Sequence, residues 1–102
     1  MPPRSRGKDG AKAPHRGKRL MVCQEECLED LRHWVQVQPK TAGRVLALID
    51  AVLRDPFHGI GKPEPLKHLG PDIWARRITK EDRLVYKVYD DQIDFLQARY
   101  HY

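Results

Sequence analysis

Long apolar runs are missing from this 102-residue chain. No stretch approaches the ~18 consecutive apolar residues of a membrane-spanning helix, and none reads as the apolar region of a secretory signal. A cytoplasmic protein with no membrane partner is the expectation. Cysteine is almost as scarce: Cys23 and Cys27 are the only two. A CxxxC pair is a redox pair or half of a metal site. No second half follows, and His15 and His33 have no ligand-like spacing to it. On a helix the two would share a face as small buried hydrophobes, so reduced structural cysteines are the expectation. Acidic residues are nearly missing from residues 1–19, where Asp9 stands against seven Lys and Arg. That arm carries a net charge of +6, and the rest of the chain −1. The basic balance therefore belongs to the arm and does not by itself make the remainder a nucleic-acid binder.

What is present suits one compact domain, since 40% of the residues are hydrophobic. Residues 1–18, rich in Pro, Gly, Lys and Arg, bury too little to offset their ordering entropy. They read as a disordered extension, or as an arm adding nonspecific affinity for RNA phosphates. The folded domain is expected over residues 19–102. Its first element is a strand over Arg19–Cys23. "QEECLEDLRHWVQV" follows as a helix with Cys27, Leu28, Leu31, Trp34 and Val35 on one stripe, stopped by Pro39. "KTAGRVLALIDAVLRDPF" gives a second helix, capped by Thr41, with Val45, Leu48, Ile49, Val52 and Leu53 facing inward. After a loop, "HGIGKPEPLKHLGPD", the segments "IWARRIT", "RLVYKVY" and "QIDFLQARYHY" read as an antiparallel meander. The fold class is α+β: two N-terminal helices packed on a mainly antiparallel twisted sheet. Alternation puts Leu84, Tyr86 and Val88 on one face and Arg83, Val85 and Lys87 on the other. It also groups Leu96, Ala98 and Tyr100 on the helix side. Arg77, Arg83, Lys87, Arg99 and His101 are then expected together on an open, basic face.

Cutting an RNA backbone without a metal requires a base for the 2′-hydroxyl, cations for the phosphate and an acid for the departing 5′-oxygen. Glu64, held between Pro63 and Pro65, is a candidate base on a stiff backbone. The alternative is a surface loop whose charges are solvated. Arg83 is a candidate phosphate clamp, with Arg77 and Lys67 adding to it. The alternative is a surface ion pair with Glu81 or Asp82. His101 is the candidate acid, because histidine titrates near neutrality. Tyr102 can stack on a base or donate a hydrogen bond near the phosphate. His58 and His68 read as ordinary surface residues.

"GKPEPLKH", "WARRITKEDRLVYKV" and the closing "RYHY" resemble the YoeB (Txe) toxins of the RelE superfamily, from bacterial type II toxin–antitoxin systems. The resemblance runs from about Arg19 to Tyr102 and leaves only the basic arm outside. It implies a ribosome-dependent endoribonuclease, an mRNA interferase without metal or cofactor, that cleaves translated mRNA in the decoding site. Its implied partners are the ribosome and mRNA, a YefM-like antitoxin that wraps it, and operator DNA through the antitoxin complex alone. A homodimer is also implied. By motif, Glu64 is the general base, Arg83 the phosphate stabiliser and His101 the general acid, with Lys67, Arg77 and Tyr102 lining the site. The family usually carries a tryptophan and a serine at the positions of Cys23 and Cys27, and an aromatic at Leu28; these departures lie away from that chemistry. Two other functions fit the same scaffold: a non-catalytic toxin like the ParE group, which poisons gyrase, or a plain RNA-binding module.

Overall fold

The computed structural model describes residues 19–101; the arm, residues 1–18, and Tyr102 lie outside the described residues. The elements run β1 (Leu20–Cys23), α1 (Glu25–Val37), α2 (Pro39–Arg54), β2 (Glu64–Pro65), a 3₁₀ turn (Lys67–Leu69), β3 (Ile73–Arg77), β4 (Arg83–Val88) and β5 (Gln92–Tyr100). They form one five-stranded sheet in the order β1-β5-β4-β3-β2. β2 to β5 pair antiparallel, while β1 runs parallel to β5 at the far edge. The α+β expectation therefore holds, with β1 making the sheet mixed. No helix among the described residues is long and apolar enough to cross a membrane.

Both helices pack on one face of the sheet. Val45, Leu48 and Val52 of α2 are fully buried against Leu84, Tyr86 and Phe95, and each such side chain contributes about 1.5–3 kcal/mol through burial. α1 contributes Cys27, with Leu31 and Trp34 half-buried beside it. Its stripe is narrower than the periodicity suggests, because Leu28 and Val35 are exposed. Cys23 and Cys27 do not share a helix face. Cys23 ends β1 and is exposed, whereas Cys27 is buried, and burial pushes its thiol up to about 12. Pro39 starts α2 rather than simply stopping α1. It occupies the first helical position, where a missing N–H costs nothing. Gln38 is therefore the break between the helices, and Thr41 lies inside α2 instead of capping it.

β5 breaks the simple alternation. Its pairing with β4 shifts register between Arg83 and Val85, and again between Val85 and Tyr86. Each shift inserts an extra residue and changes which face the next side chain meets. Ala98 thus joins the helix-side core, while Leu96 and Tyr100 pack on the opposite face with Leu66, Ala75 and Val85. Tyr100 is therefore on the open face with Leu96, and not on the helix side as expected. Arg99 leaves the basic group, its guanidinium lying over the Trp34 ring at 6.0 Å. The indole nitrogen of Trp34 in turn donates to the Ala98 carbonyl at 2.8 Å.

A buried arginine shapes the loop between α2 and β2. Arg76 is wholly buried on the helix side of β3. Its guanidinium donates to the carbonyls of Asp55, His58 and Ile60 and to the Tyr86 hydroxyl. Tyr86 passes a hydrogen bond on to the Pro56 carbonyl at 2.7 Å, and burial raises its phenol above the ordinary value. At the loop's start the Asp55 carboxylate accepts the N–H groups of Phe57 and His58. The Phe57 bond is the main reason its carboxyl sits below the usual range. Gly61 closes the loop with φ of +86°, and a Cβ there would lie 2.9 Å from a Leu48 methyl and 3.0 Å from the Arg76 Cβ. Gly61→Ala should therefore destabilise the fold by about 1–3 kcal/mol, read from urea unfolding. A midpoint equal to wild type would show that the loop relaxes freely.

Candidate active site

The open face is built from β2, β3, β4 and the end of β5. Register sets Arg77 directly opposite Arg83, and Arg83 opposite Tyr100, in one row across three strands. Glu64 pairs with Ala75, so its side chain shares that face, two residues along β3 from Arg77. The heptapeptide around Glu64 is more ordered than a loop. Glu64 and Pro65 form β2, and Lys67 to Leu69 form the 3₁₀ turn. Leu66, only 3% exposed, fastens this segment onto Ala75 and Val85. Lys67 is exposed on the turn, and His68 shares a 3.3 Å hydrogen bond with the Tyr100 hydroxyl. The segment carrying Glu64 is thus tied across the sheet to the end of β5.

Arg83 is half-buried at the start of β4. One guanidinium nitrogen donates to the carbonyls of Thr79, Lys80 and Asp82 at 3.1–3.2 Å. These three acceptors are backbone carbonyls of the turn. Asp82 is instead buried and turned inward: one carboxylate oxygen accepts the Thr79 hydroxyl at 2.8 Å. The other oxygen lies 2.6 Å from His101 Nε2. That contact brings the residue after β5 to the start of β4, next to Arg83. Register places three of the sequence-predicted residues, Glu64, Arg77 and Arg83, on the open face; His101 follows Tyr100 and meets Asp82 beside Arg83, and Lys67 sits on the neighbouring turn. Tyr102 lies outside the described residues.

The family model for the YoeB-like toxin of bacterial type II toxin–antitoxin systems matches residues 23–102. The chain belongs to this family. Among individual relatives, the YoeB toxin of Mycobacterium bovis is 51% identical over 74 residues, covering 72% of this chain and 87% of that protein. A YoeB dimer from Staphylococcus aureus superposes with a TM-score of 0.77 at 32% identity, covering 83% of this chain and 99% of that one. A chain of the heterotetrameric YoeB–YefM toxin–antitoxin complex from the same species gives 0.71 at 36% identity, over 82% and 99%. The YoeB-like fold is thus matched over nearly the whole length of those solved chains.

Three side chains of this toxin carry more of the site's architecture than their sequence context suggests. Asp82 reads in sequence as a turn acid or a surface partner for Arg83. The Thr79-to-Asp82 spacing was the available signal, since a hydroxyl and a carboxylate three apart can close a turn on themselves. Thr79 Oγ1 does so, accepting the N–H groups of Glu81 and Asp82. His68 reads as an ordinary surface residue, and nothing local foretells its reach to Tyr100. Arg76 alternates with Trp74 and Ile78 on the helix side of the sheet, and a cation between two apolar side chains was the signal that could have found it.

Proposed function

We propose that this YoeB-like toxin is a ribosome-dependent endoribonuclease that cleaves translated mRNA by attack of the 2′-hydroxyl on its own phosphodiester. The row of Arg77 and Arg83 on one face with Glu64, with His101 held on Asp82 beside Arg83, carries this reading. The Glu64 carboxylate takes the 2′-hydroxyl proton as the 2′-oxygen attacks phosphorus. The planar donors of Arg83, with Arg77 and Lys67 around it, stabilise the crowded phosphate as its charge builds. His101 gives a proton to the departing 5′-oxygen, so the products are a 2′,3′-cyclic phosphate and a 5′-hydroxyl. By the family motif, Tyr102 takes a supporting, substrate-binding role. Because the nucleophile comes from RNA, the same machinery leaves DNA intact.

The S. aureus complex supports a YefM-like antitoxin as the partner of this chain; operator DNA is proposed as a partner of the toxin–antitoxin complex alone. The S. aureus dimer supports a homodimer. An expected cytoplasmic location follows from a ribosomal target. The test is primer extension on a message incubated with the toxin, with and without translating ribosomes. Cuts confined to the translated region, and suppressed by a YefM-like antitoxin, are the expected outcome. Inhibition of gyrase supercoiling with no cut in the message would replace this reading with that of a ParE-like toxin.

A further inference from the structure

His101 alone is poorly placed to act as a directed proton donor. Its side chain is 62% exposed, and it follows the last residue of β5. An exposed side chain at such a position samples several rotamers unless a partner selects one. Asp82 is that partner. Its side chain is only 13% exposed, its backbone N–H and one carboxylate oxygen are held by the Thr79 hydroxyl group, and its other oxygen meets His101 Nε2 at 2.6 Å. The ionised carboxylate can only accept, so Nε2 must carry the proton in that contact. The bond an imidazole makes at one nitrogen fixes the role of the other.

We propose that Asp82 is the positioning residue for His101: it holds the Nε2–H and thereby makes Nδ1 the atom facing the scissile phosphate. This rests on the ribonuclease reading above. In the charged imidazolium both nitrogens carry protons. Nδ1 passes its proton to the 5′-oxygen as the P–O5′ bond breaks, and the neutral ring is left with Nε2–H still on Asp82. The same turn gives its carbonyls to Arg83, so residues 79–82 fix both the phosphate clamp and the acid from one short segment.

Two measurements on the full chain test this. The first is a long-range ¹H–¹⁵N spectrum of the histidine rings at alkaline pH, with the His101 signals assigned by their loss in His101→Ala. Wild type should show neutral His101 wholly as the Nε2–H tautomer, and Asp82→Ala should relax it to the Nε2–H/Nδ1–H mixture of a free histidine side chain. An unchanged tautomer in Asp82→Ala overturns the proposal, whatever the toxin cleaves. The second is single-turnover cleavage of ribosome-bound message by wild type, His101→Ala and Asp82→Asn, using either a normal linkage or one with sulfur in place of the bridging 5′-oxygen. Asp82→Asn should slow the oxygen substrate roughly 10- to 100-fold, the scale of a misaligned catalytic group. Sulfur departs without a proton because a thiol is far more acidic than an alcohol, so both variants should recover most of the loss on that substrate. A loss of equal size on both substrates, or full Asp82→Asn activity on the oxygen substrate, overturns the positioning role. Absence of any wild-type cleavage would overturn the ribonuclease reading, and with it the proton-delivery step, while the tautomer result stands apart.

Discussion

Glu64→Ala and His101→Ala should each slow cleavage of ribosome-bound message by roughly 10²- to 10⁴-fold, the usual contribution of a positioned general base or acid. Neither should unfold the protein. The pairing of β2 with β3 is made by backbone groups, and Glu64 itself is exposed. His101 has one mostly exposed ring on a buried carboxylate, and losing such a pair costs about 0–1 kcal/mol. Melting midpoints within a few degrees of wild type are therefore expected. The double variant should fall well short of the product of the two losses, since base and acid serve one displacement. Arg83→Ala should differ in kind. It removes a phosphate clamp and also releases the carbonyls of Thr79, Lys80 and Asp82, so activity and stability should fall together. Retention of more than about a tenth of wild-type rate by either Glu64→Ala or His101→Ala would remove that residue from the chemistry.

The largest loss of stability is expected at Arg76. Replacement by methionine, similar in length and uncharged, leaves the carbonyls of Asp55, His58 and Ile60 and the Tyr86 hydroxyl without their donor. Unmade hydrogen bonds of this kind cost about 1–3 kcal/mol each when the group stays buried. Water will reach the part-exposed carbonyls, so a total of roughly 3–5 kcal/mol is expected from urea unfolding. That is a large share of the about 5–15 kcal/mol available to a small domain. Arg76→Lys should restore less than half, because one ammonium cannot span three carbonyls and a hydroxyl as the planar fork does. Cleavage should fall as well, since this loop delivers the chain to Glu64. A midpoint for Arg76→Met within about 1 kcal/mol of wild type would mean that solvent satisfies the loop unaided.

β4 was legible in the sequence because no bulge interrupts it: Leu84, Tyr86 and Val88 fall on the helix side as their alternation requires. β5 was only half legible. Two one-residue register shifts put Ala98 on the helix side between Leu96 and Tyr100, which lie on the open face, and Arg99 lies over Trp34. A bulge is set by pairing with a neighbouring strand, not by the bulged strand's own residues. The helices were readable from periodicity, yet the boundary at Gln38 was not, because a proline can end one helix or begin the next. For the candidate site, the sequence named residue types suited to acid, base and phosphate binding. It was silent on Asp82 beneath His101 and on His68 reaching Tyr100. Both are contacts between segments far apart in the chain, made only once the sheet has formed.

The central claim is that RNA supplies the nucleophile and this open face supplies the rest. Its most direct test is a message carrying a single 2′-deoxynucleotide on the 5′ side of the mapped cut, translated in the presence of wild-type toxin. The account predicts that cutting at that bond disappears, while matched all-ribose message is cut to leave a 2′,3′-cyclic phosphate and a 5′-hydroxyl. Continued cutting at the deoxy position, at a rate near that of the all-ribose message, would contradict it.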